Sequence, residues 1–500
     1  MTVNLALLLT NAARWFPDRP AVTWGVETIT YGELDDQVVA LDGWLRSQGL
    51  GRDTRVAVFM DNRPEFLVAM FGTWRCGASL VPCNARLTAE ELSFLVSDSG
   101  AAIVITDETH AATARAAAGG AIVCVAGPEL RAILDIERPE TVSGPVDVQS
   151  DDLAWLFYTS GTTGRPKGAM LSHGTLTFVT VSWLADLSPL DENDVTLHAA
   201  PLSHGAGFHA LAATARAAHQ VIPETASFEP LRILDLIRAY GVTNTWMVPT
   251  QIVMLTDAAP PDPSLPSLQY VVYGGAPMTP AATERALRTF GPIFVQLYGQ
   301  GETPMTATVL RREDHRPELF GSAGRARPGV EVAIEDADGK PLAPGNVGEV
   351  VVRGASVMSG YWGRPDATAE SLREGWLHTG DLGRLTDDGV LYLLDRTKDM
   401  IISGGSNVYA VEVEQVLSEH PGVGDVAVIG VPDDLWGEIV VAVVVTAEGD
   451  FDAAVLEQHC RASLAGYKIP RRWLQVESLP RNAYGKVVKR DLRARLEAPV

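Results

Sequence analysis

The sequence predicts an α/β fold with two domains of unequal size. We expect residues 1–396 to form a large N-terminal domain of mainly parallel sheets with covering helices and a β-rich unit, and residues 397–500 to form a small C-terminal α+β domain. Strand and helix patterns alternate over the first 150 residues and again between residues 231 and 297. Glycines and Asp-Gly turns become frequent between residues 321 and 394, and a compact α+β pattern follows Lys398. Alternation is typical of parallel sheets, because parallel strands need crossover connections.

The first alternating region contains short apolar segments separated by helical ones. Arg55–Met60 and Ala101–Thr106 are predicted strands, and Ser79–Pro82 is a third apolar segment between them. Pro64–Cys76 is a predicted helix with proline at its first position, where a missing N–H costs little. Thr88-x-x-Glu91 has the spacing of a capping box, which predicts the start of another helix.

The rest of the chain is interpreted in the same way. The predicted helices are Leu231–Tyr240, Thr283–Thr289, Val411–Glu419 and Asp452–Leu464, and the predicted strands are Leu153–Tyr158, Val242–Val248, Tyr270–Tyr273, Ile293–Leu297, Val426–Val431 and Ile439–Val445. The polar segment 137–150 contains two prolines and is predicted to be a connecting loop. The domain boundary is expected near Asp395–Asp399.

Composition excludes several classes of protein. The formal net charge of −22 argues against general nucleic-acid binding and against docking on anionic membranes, because an acidic surface repels phosphate groups. Apolar runs such as Ile439–Val445 are far too short to span a membrane, and the apolar N-terminal stretch lacks the preceding basic residue of a secretory signal. The four cysteines have neither zinc-site nor disulfide spacing, so we predict buried free thiols and a cytoplasmic location.

The segment Tyr158–His173 (YTSGTTGRPKGAMLSH) carries the most information. Its loop Thr159–Gly168 consists only of Thr, Ser, Gly, Lys, Arg and Pro. Hydroxyl groups donate to phosphate oxygens, glycines let backbone N–H groups approach a ligand closely, and Lys167 adds a positive charge. The preceding strand would place the loop at a carboxyl end, where α/β sheets bind ligands. A Walker A motif is excluded, because that motif ends in GK[ST] and this loop ends in GRPKG.

Six further motifs follow this loop in order. They are Pro201–His204 (PLSH), Tyr273–Pro277 (YGGAP), Tyr298–Glu302 (YGQGE), Trp376–Leu382 (WLHTGDL), Asp395–Asn407 (DRTKDMIISGGSN) and Pro480–Lys486 (PRNAYGK). Together with the loop, they resemble the signature motifs of the AMP-forming acyl-adenylate superfamily, in its acyl-CoA synthetase and aryl-CoA ligase branch. That superfamily also includes firefly luciferase and the adenylation domains of peptide synthetases.

The resemblance implies an acid–thiol ligase that uses ATP, Mg²⁺ and coenzyme A. ATP and a small carboxylic acid would give acyl-AMP and pyrophosphate, and coenzyme A would then give the thioester and AMP. The small domain is expected to rotate between two positions, one for each step.

The resemblance also assigns roles to individual residues. The loop residues Thr159, Ser160, Gly161, Thr162, Thr163, Gly164 and Lys167 would bind the phosphates. Adenine would lie against Gly275, Ala276, Tyr298 and Gly299, the ribose would contact Asp381 and Arg396, Lys398 would be the hinge, and Gly404 and Gly405 would leave room for the pantetheine arm. For Tyr298 a core aromatic role remains an alternative.

Three side chains are expected to act at the reacting groups. Glu302 is the predicted magnesium ligand, because a carboxylate beside phosphates is repelled unless a cation lies between them. Lys486 would bridge the substrate carboxylate and the α-phosphate as charge develops. His204 would lie between the adenylate and the acyl pocket. The expected pocket walls are His204–His209, Trp246–Thr250, Gly274–Pro277 and Gly299–Met305, which favour an aromatic, cyclic or medium-chain acid.

One position departs from the family pattern. The family has threonine immediately before the glutamate, and this chain has Gly301 there. Thr303 or a water is the expected replacement for the missing phosphate contact. The glycine is also expected to enlarge the acyl pocket.

Three alternatives to the CoA ligase remain open. The first is a stand-alone adenylation enzyme that loads a carrier-protein thiol. The second is an oxygenase that oxidises the adenylate, and the third is a non-catalytic nucleotide-binding protein.

Overall fold

The computed structural model describes residues 4–134, 144–159, 166–261, 263–396, 399–403, 406–433, 436–447, 452–481 and 487–497. Over these ranges the helices are α1 (Ala6–Trp15), α2 (Tyr31–Ser47), α3 (Pro64–Arg75), α4 (Ala89–Ser99), α5 (Ala111–Ala117), α6 (Pro128–Leu134), α7 (His173–Asp186), α8 (Gly205–Ala215), α9 (Pro230–Tyr240), α10 (Pro249–Ala258), α11 (Pro280–Phe290), α12 (Pro365–Ser371), α13 (Ala410–Ser418), α14 (Ala453–Ser463) and α15 (Lys489–Glu497).

The strands form four sheets. They are β1 (Pro20–Trp24), β2 (Glu27–Thr30), β3 (Arg55–Phe59), β4 (Ser79–Cys83), β5 (Ile103–Asp107), β6 (Ile122–Ala126), β7 (Leu153–Thr159), β8 (Lys167–Ser172), β9 (Val195–Leu197), β10 (His219–Ile222), β11 (Asn244–Met247), β12 (Tyr270–Tyr273), β13 (Phe294–Gln300), β14 (Thr303–Leu310), β15 (Arg325–Ala326), β16 (Val330–Glu335), β17 (Gly348–Gly354), β18 (Leu372–Arg373), β19 (Trp376–Leu385), β20 (Leu391–Arg396), β21 (Ile401–Ser403), β22 (Ser406–Val408), β23 (Val423–Asp433), β24 (Gly437–Thr446) and β25 (Arg472–Gln475).

The first sheet has six strands in the order β6-β5-β3-β4-β7-β8. All neighbours pair in parallel except the hairpin of β7 and β8. Strands β4 and β5 are buried along their whole length, which is the pattern of a parallel sheet covered by helices on both faces. The hairpin brings Thr159 opposite Lys167, so the two ends of the predicted phosphate loop lie side by side.

The second sheet has nine strands in the order β15-β14-β13-β12-β11-β9-β10-β1-β2. Its central strands β10, β9, β11, β12 and β13 are parallel to one another, while β14 returns antiparallel to β13. The carboxyl ends of β12 and β13 are therefore neighbours at one edge of this sheet. Together the two large sheets confirm the predicted N-terminal architecture of mainly parallel sheets with covering helices.

The third and fourth sheets are smaller. The third has the order β16-β17-β19-β18, with β20 on β19, and confirms the predicted β-rich unit. The fourth has the order β22-β21-β24-β23, with β25 on β24, and packs against α13 and α14. The chain passes from the third sheet to the fourth between Arg396 and Ile401, which overlaps the segment Asp395–Asp399 where the sequence predicts the domain boundary. The limits 1–396 and 397–500 stay a prediction.

Local predictions agree with the structure within a few residues. The capping box is present, because Thr88 Oγ1 accepts from Glu91 N at 3.3 Å and Glu91 Oε2 accepts from Thr88 N at 2.8 Å. The strand Tyr270–Tyr273 has the predicted limits. Segment 144–150 contains no helix or strand, and residues 137–143 lie outside the described residues. Helix α8 was not predicted, since its glycines and alanines give no amphipathic pattern.

All four cysteines are buried free thiols, as predicted. Burial raises the pKa of Cys76 and Cys460 to about 11 and that of Cys83 and Cys124 to about 12, so each thiol stays protonated at neutral pH. Within the described ranges, no helix combines the length and the hydropathy that a membrane span needs.

Candidate active site

The turn between β13 and β14 is the point where three sheets meet. Strand β13 ends at Gln300, and β14 begins at Thr303, so the predicted glycine-rich turn is a tight antiparallel connection. Side chains of this turn bond to Thr159 at the end of β7 and to Asp381 in β19. Three sequence motifs far apart in the chain are thus brought together by the second sheet.

Glu302 is buried at this turn, with 8% of its surface exposed. Its Oε1 accepts hydrogen bonds from Thr159 Oγ1 at 3.0 Å and from Tyr361 Oη at 2.7 Å. Burial and the adjacent carboxylate raise the pKa of Tyr361, so its hydroxyl remains a donor. Among the described residues, Oε2 has no hydrogen-bond partner, which leaves one carboxylate oxygen available to a ligand.

Tyr361 also contacts Lys167, the cationic residue at the end of the predicted phosphate loop. It lies before α12 on a segment that docks against β8, where Trp362 N donates to Gly168 O at 2.8 Å. The ammonium group of Lys167 is 5.1 Å from the centre of the Tyr361 ring, within the range of a cation–π contact. Tyr361 belongs to none of the sequence motifs, so its role is not predicted from them.

Asp381 forms a second buried network, and it is 8% exposed. Its Oδ2 accepts from Tyr298 Oη at 2.7 Å and from Gln300 Nε2 at 2.6 Å, and Gln300 Nε2 is also 2.9 Å from Thr379 O. Tyr298 is itself buried, so it serves the core as well as this carboxylate. Arg396 stands opposite Asp381 in the ladder of β19 and β20.

The segment after β12 has the open backbone expected beside a flat ligand. Gly274 lies against Leu297, where an added Cβ would be 2.6 Å from Leu297 O. Gly275 has φ +82° and nothing within 4 Å of its Cβ position, and Ala276 is exposed. At the end of the neighbouring strand, Gly299 admits no side chain, since an added Cβ would be 2.5 Å from Thr303 O.

His204 immediately precedes α8 and is partly buried. Its Nδ1 is 3.1 Å from Ser203 Oγ, and its ring meets the Phe157 ring edge-on with centroids 5.2 Å apart. Asn62 holds the preceding loop, because its Nδ2 donates to Ala200 O at 2.7 Å and its Oδ1 accepts from the main chain two residues further on at 2.8 Å. Asn62 belongs to none of the motifs, and its position just after strand β3 is the sequence signal that could have predicted a role for it.

The room expected beside Gly301 is filled. A Cβ on Gly301 would lie 2.4 Å from Thr159 Cγ2 and 2.6 Å from Phe157 Cδ1. The expectation of an enlarged pocket at this point is therefore wrong, because the Phe157 ring occupies the space. Thr303 is fully buried, and its hydroxyl is 2.9 Å from Ser356 Oγ.

Met305 has a left-handed backbone, with φ +56°, which is uncommon for a residue with a side chain. Its carbonyl accepts from Arg327 Nη1 at 2.9 Å, and Arg327 is ion-paired to Asp186 at 2.6 Å with its own side chain 0% exposed. The Met305 methyl group and the Trp246 ring lie 2.2 and 2.6 Å from the position of a Cβ on Gly205, so a side chain there would require both to shift. The ion pair of Arg327 and Asp186 thus holds strand β14, which contains the uncommon backbone conformation of Met305, beside α8.

Most of the predicted site residues that the structure describes lie around the two carboxylate networks. The exceptions are His204 and the predicted adenine segment. The predicted residues outside the described part of the chain are Ser160, Gly161, Thr162, Thr163, Gly164, Lys398, Gly404, Gly405 and Lys486. The side chain of Arg396 is likewise not described.

The comparisons with known proteins cover almost the whole chain. The AMP-binding enzyme model matches residues 9–362, and the AMP-binding enzyme C-terminal domain model matches residues 412–486. A feruloyl-CoA synthase from Amycolatopsis sp is 41% identical over 487 residues, which are 97% of each chain. A fatty acid–[acyl-carrier-protein] ligase, ScoC, from Streptomyces coeruleorubidus is 36% identical, over 96% of this chain and 94% of that protein.

Solved structures show the same architecture. ATP-bound MatB from Rhodopseudomonas palustris superimposes with a TM-score of 0.90 at 32% identity, with 99% of each chain covered. The apo form of MatB, at the same identity and coverage, gives 0.79. Fold and site together define an enzyme that forms adenylates. The chain belongs to the AMP-binding enzyme family, and the predicted enzyme class, an AMP-forming acid–CoA ligase, is confirmed.

Replacing Arg327 by methionine tests the buried ion pair. Arg327→Met leaves the mostly buried carboxylate of Asp186, which is 11% exposed, uncompensated and is expected to lower the free energy of unfolding by about 3–5 kcal/mol, measured by urea denaturation. Adding Asp186→Leu should recover most of that loss, since an apolar pair needs no desolvation. The exposed pair of Arg285 and Asp257 is the control, and Arg285→Met should change stability by less than about 0.5 kcal/mol. Equal stability of Arg327→Met and the wild type would contradict the role given to this pair.

The packing at Gly301 is tested by adding one methyl group. Gly301→Ala is expected to destabilise the protein by about 1–3 kcal/mol in the same assay, because the Cβ overlaps two side chains. Thr159→Ser keeps the hydroxyl group and removes the overlapping Cγ2, so combining it with Phe157→Leu should restore stability. Gly144→Ala is the control, since its Cβ position is open. A Gly301→Ala variant as stable as the wild type would refute this packing.

Proposed function

We propose that this enzyme activates an aromatic or fatty carboxylic acid at the turn between β13 and β14 and transfers the acyl group to coenzyme A. The observation that carries the proposal is the meeting of the Glu302 network with the Asp381 network at that turn. One network borders the hydroxyl-rich loop suited to phosphates, and the other presents a carboxylate suited to ribose hydroxyls. ATP that spans both would have its α-phosphate between them.

The first step joins two anions. A carboxylate oxygen of the acid attacks the α-phosphorus, the bond from that phosphorus to the bridging oxygen breaks, and pyrophosphate leaves. The loop hydroxyls, Lys167 and Lys486 are proposed to neutralise the charge on the phosphates and the attacking carboxylate. Fixed donors of this kind need no reorganisation as the charge develops, and they hold the reacting atoms in line.

The donor set at Glu302 fits a magnesium ion. A buried carboxylate with one oxygen unbonded among the described residues, beside the hydroxyl of Thr159, offers the hard oxygen ligands that Mg²⁺ prefers. We propose that Glu302 holds the ion together with the nucleotide phosphates. When bound, the ion supplies positive charge to the phosphate oxygens. Tyr361 and Thr159 orient the carboxylate for that contact.

In the second step, the thiol of coenzyme A attacks the acyl carbonyl and AMP leaves. Lys398 is proposed as the hinge between domains 1–396 and 397–500, with Gly404 and Gly405 beside the pantetheine arm. The greater similarity to ATP-bound MatB than to apo MatB supports an arrangement suited to the first step. The buried free thiols support a cytoplasmic location.

The acid is proposed to be aromatic, cyclic or of medium chain length. The side chains around α8 are flat and apolar, with Phe157 and Phe208 stacked at 5.7 Å and Trp246 packed on Gly205. The 41% identity with a protein named feruloyl-CoA synthase supports an aromatic acid. The similarity to ScoC favours a second candidate, in which the thiol belongs to a carrier protein.

A screen of acids by pyrophosphate release tests the proposal. Aromatic and fatty acids are offered with ATP and Mg²⁺, and thioester formation is then measured with coenzyme A and with a phosphopantetheinylated carrier protein. We expect release with at least one class of acid and a thioester with coenzyme A. A thioester with the carrier protein alone would establish the second candidate, and no release with any acid would reject adenylation.

Lys486→Ala separates the two steps. Loss of the ammonium group should reduce adenylation at least about 100-fold, while thioester formation from pre-made acyl-AMP should persist, because that step does not need the bridge between carboxylate and phosphate. Each rate is measured in single turnover. Arg490→Ala, in an exposed position of the same C-terminal segment, is the matched control and should retain both steps. Equal loss of both steps would remove Lys486 from the adenylation role.

Glu302→Gln tests the proposed magnesium ligand. The amide oxygen can still accept from Thr159 and Tyr361, but the charge is gone, so adenylation should fall about 100-fold and need a higher Mg²⁺ concentration. The measurement is pyrophosphate release as a function of Mg²⁺. Glu335→Gln, at another glutamate that is 8% exposed, is the control. An unchanged Mg²⁺ dependence in Glu302→Gln would show that Glu302 does not hold the ion.

A further inference from the structure

Asp395 connects the two predicted domains through a side-chain hydrogen bond. It lies in β20 of the third sheet, opposite Leu382 and one position before the pair of Asp381 and Arg396. Its Oδ2 accepts from Ala410 N at 2.6 Å. Ala410 is the first residue of α13, and this helix packs against the fourth sheet. The bond therefore joins the sheet that carries the proposed ribose carboxylate to the small C-terminal unit.

This carboxylate caps the N-terminus of α13. The first N–H groups of a helix have no partner within the helix, and the side chain of Tyr409, just before α13, does not cap it. Ala410 is fully buried, and Asp395 is 9% exposed. The negative charge of Asp395 is also favourable beside the positive end of the helix dipole. The start of α13 thus depends on an acceptor that a different sheet supplies.

Helix α13 is connected in turn to the C-terminal helix α15. Glu414 of α13 forms an ion pair with Lys489 at 2.9 Å. Burial lowers the pKa of Lys489, but nearby carboxylates, led by that of Glu414, raise it above its ordinary value, so the ammonium group stays charged. Lys489 is the first residue of α15 and follows Lys486 by three positions. The contacts therefore run from the third sheet through α13 to the residues next to the predicted catalytic lysine.

We infer that Asp395 is a positioning residue that holds the small domain in the arrangement for adenylation. The inference rests on the proposed function, in which the small domain turns about Lys398 between the two steps. Asp395 precedes that hinge and stays with the third sheet, whereas Ala410 follows the hinge and moves with the small domain. The rotation separates the two, so the bond stabilises the first arrangement and breaks before coenzyme A reacts.

Two single-turnover rates in Asp395→Ala test the inference. The first is pyrophosphate release with an acid that the wild type accepts, and the second is thioester formation from the pre-made acyl-AMP of that acid. We expect the first rate to fall about five- to tenfold, because loss of the cap shifts the domain equilibrium away from the adenylation arrangement. The second rate should be at least that of the wild type.

Asp452→Ala is the matched control. Asp452 caps α14, where its Oδ1 accepts from Ala454 N at 2.9 Å, so donor and acceptor belong to the same small domain. Loss of this cap removes the same kind of hydrogen bond without affecting a contact between domains. The ratio of the two rates should therefore equal that of the wild type. A ratio lowered as much as in Asp395→Ala would overturn the inference.

Ala410→Pro removes the donor of the same bond. Proline is favourable at the first position of a helix, and the preceding Tyr409 already has the extended backbone that a following proline requires. The ratio of adenylation to thioester formation should fall as it does in Asp395→Ala. If Asp395→Ala does not fold, Ala410→Pro decides by the same two rates.

A double variant tests whether Asp395 acts through the lysine. Adding Asp395→Ala to Lys486→Ala should cause no further loss of adenylation, since the group that the cap positions is already gone. A further loss as large as that in the single variant would overturn the inference. So would equal effects of Asp395→Ala on both rates, or no effect on either, while the proposed function stands. Absence of pyrophosphate release by the wild type with any acid would overturn both.

Discussion

The site depends on a buried carboxylate that holds two sheets together. Glu302 sits in a turn of the nine-stranded sheet and is bonded to Thr159 of the six-stranded sheet. Burial of a carboxylate is unfavourable unless it is hydrogen-bonded, so the hydroxyl of Thr159 and that of Tyr361 make this arrangement possible. The bond from Thr159 also fixes the end of β7, where the predicted phosphate loop begins, against the turn. The position of Thr159 is thus a consequence of how the carboxylate is satisfied.

The third sheet is joined to the second in the same way, by hydrogen bonds to a buried carboxylate. Asp381 lies in β19, and its buried Oδ2 is satisfied by Tyr298 and Gln300 from the second sheet. Because both carboxylates are anchored by the same short turn, their separation depends on very few backbone angles. Gly301 fits this compact turn because it has no side chain, and the Phe157 ring already fills the volume that a side chain would need.

Features that depend only on residues close together in the chain were predictable from the sequence. The strand Tyr270–Tyr273 and the capping box at Thr88 follow from residue pattern and short-range chemistry, and each is present in the structure. The partners that satisfy those motifs were not predictable. Tyr361 and Asn62 are far from their partners in sequence, and no spacing rule relates a buried acceptor to a donor contributed by another sheet.

The two halves of the site therefore differ in how far a sequence specifies them. The proposed nucleotide half uses charge and hydroxyl groups, whose chemistry is visible in residue types. The proposed acyl half uses volume, and volume is set by packing. Arg327 bonds the carbonyl of Met305, a strand residue with a left-handed backbone, and the Trp246 ring and the Met305 methyl group leave little room for a side chain at Gly205. Substitutions that leave every motif intact would still reshape this half, so related chains can share the adenylation chemistry and select different acids.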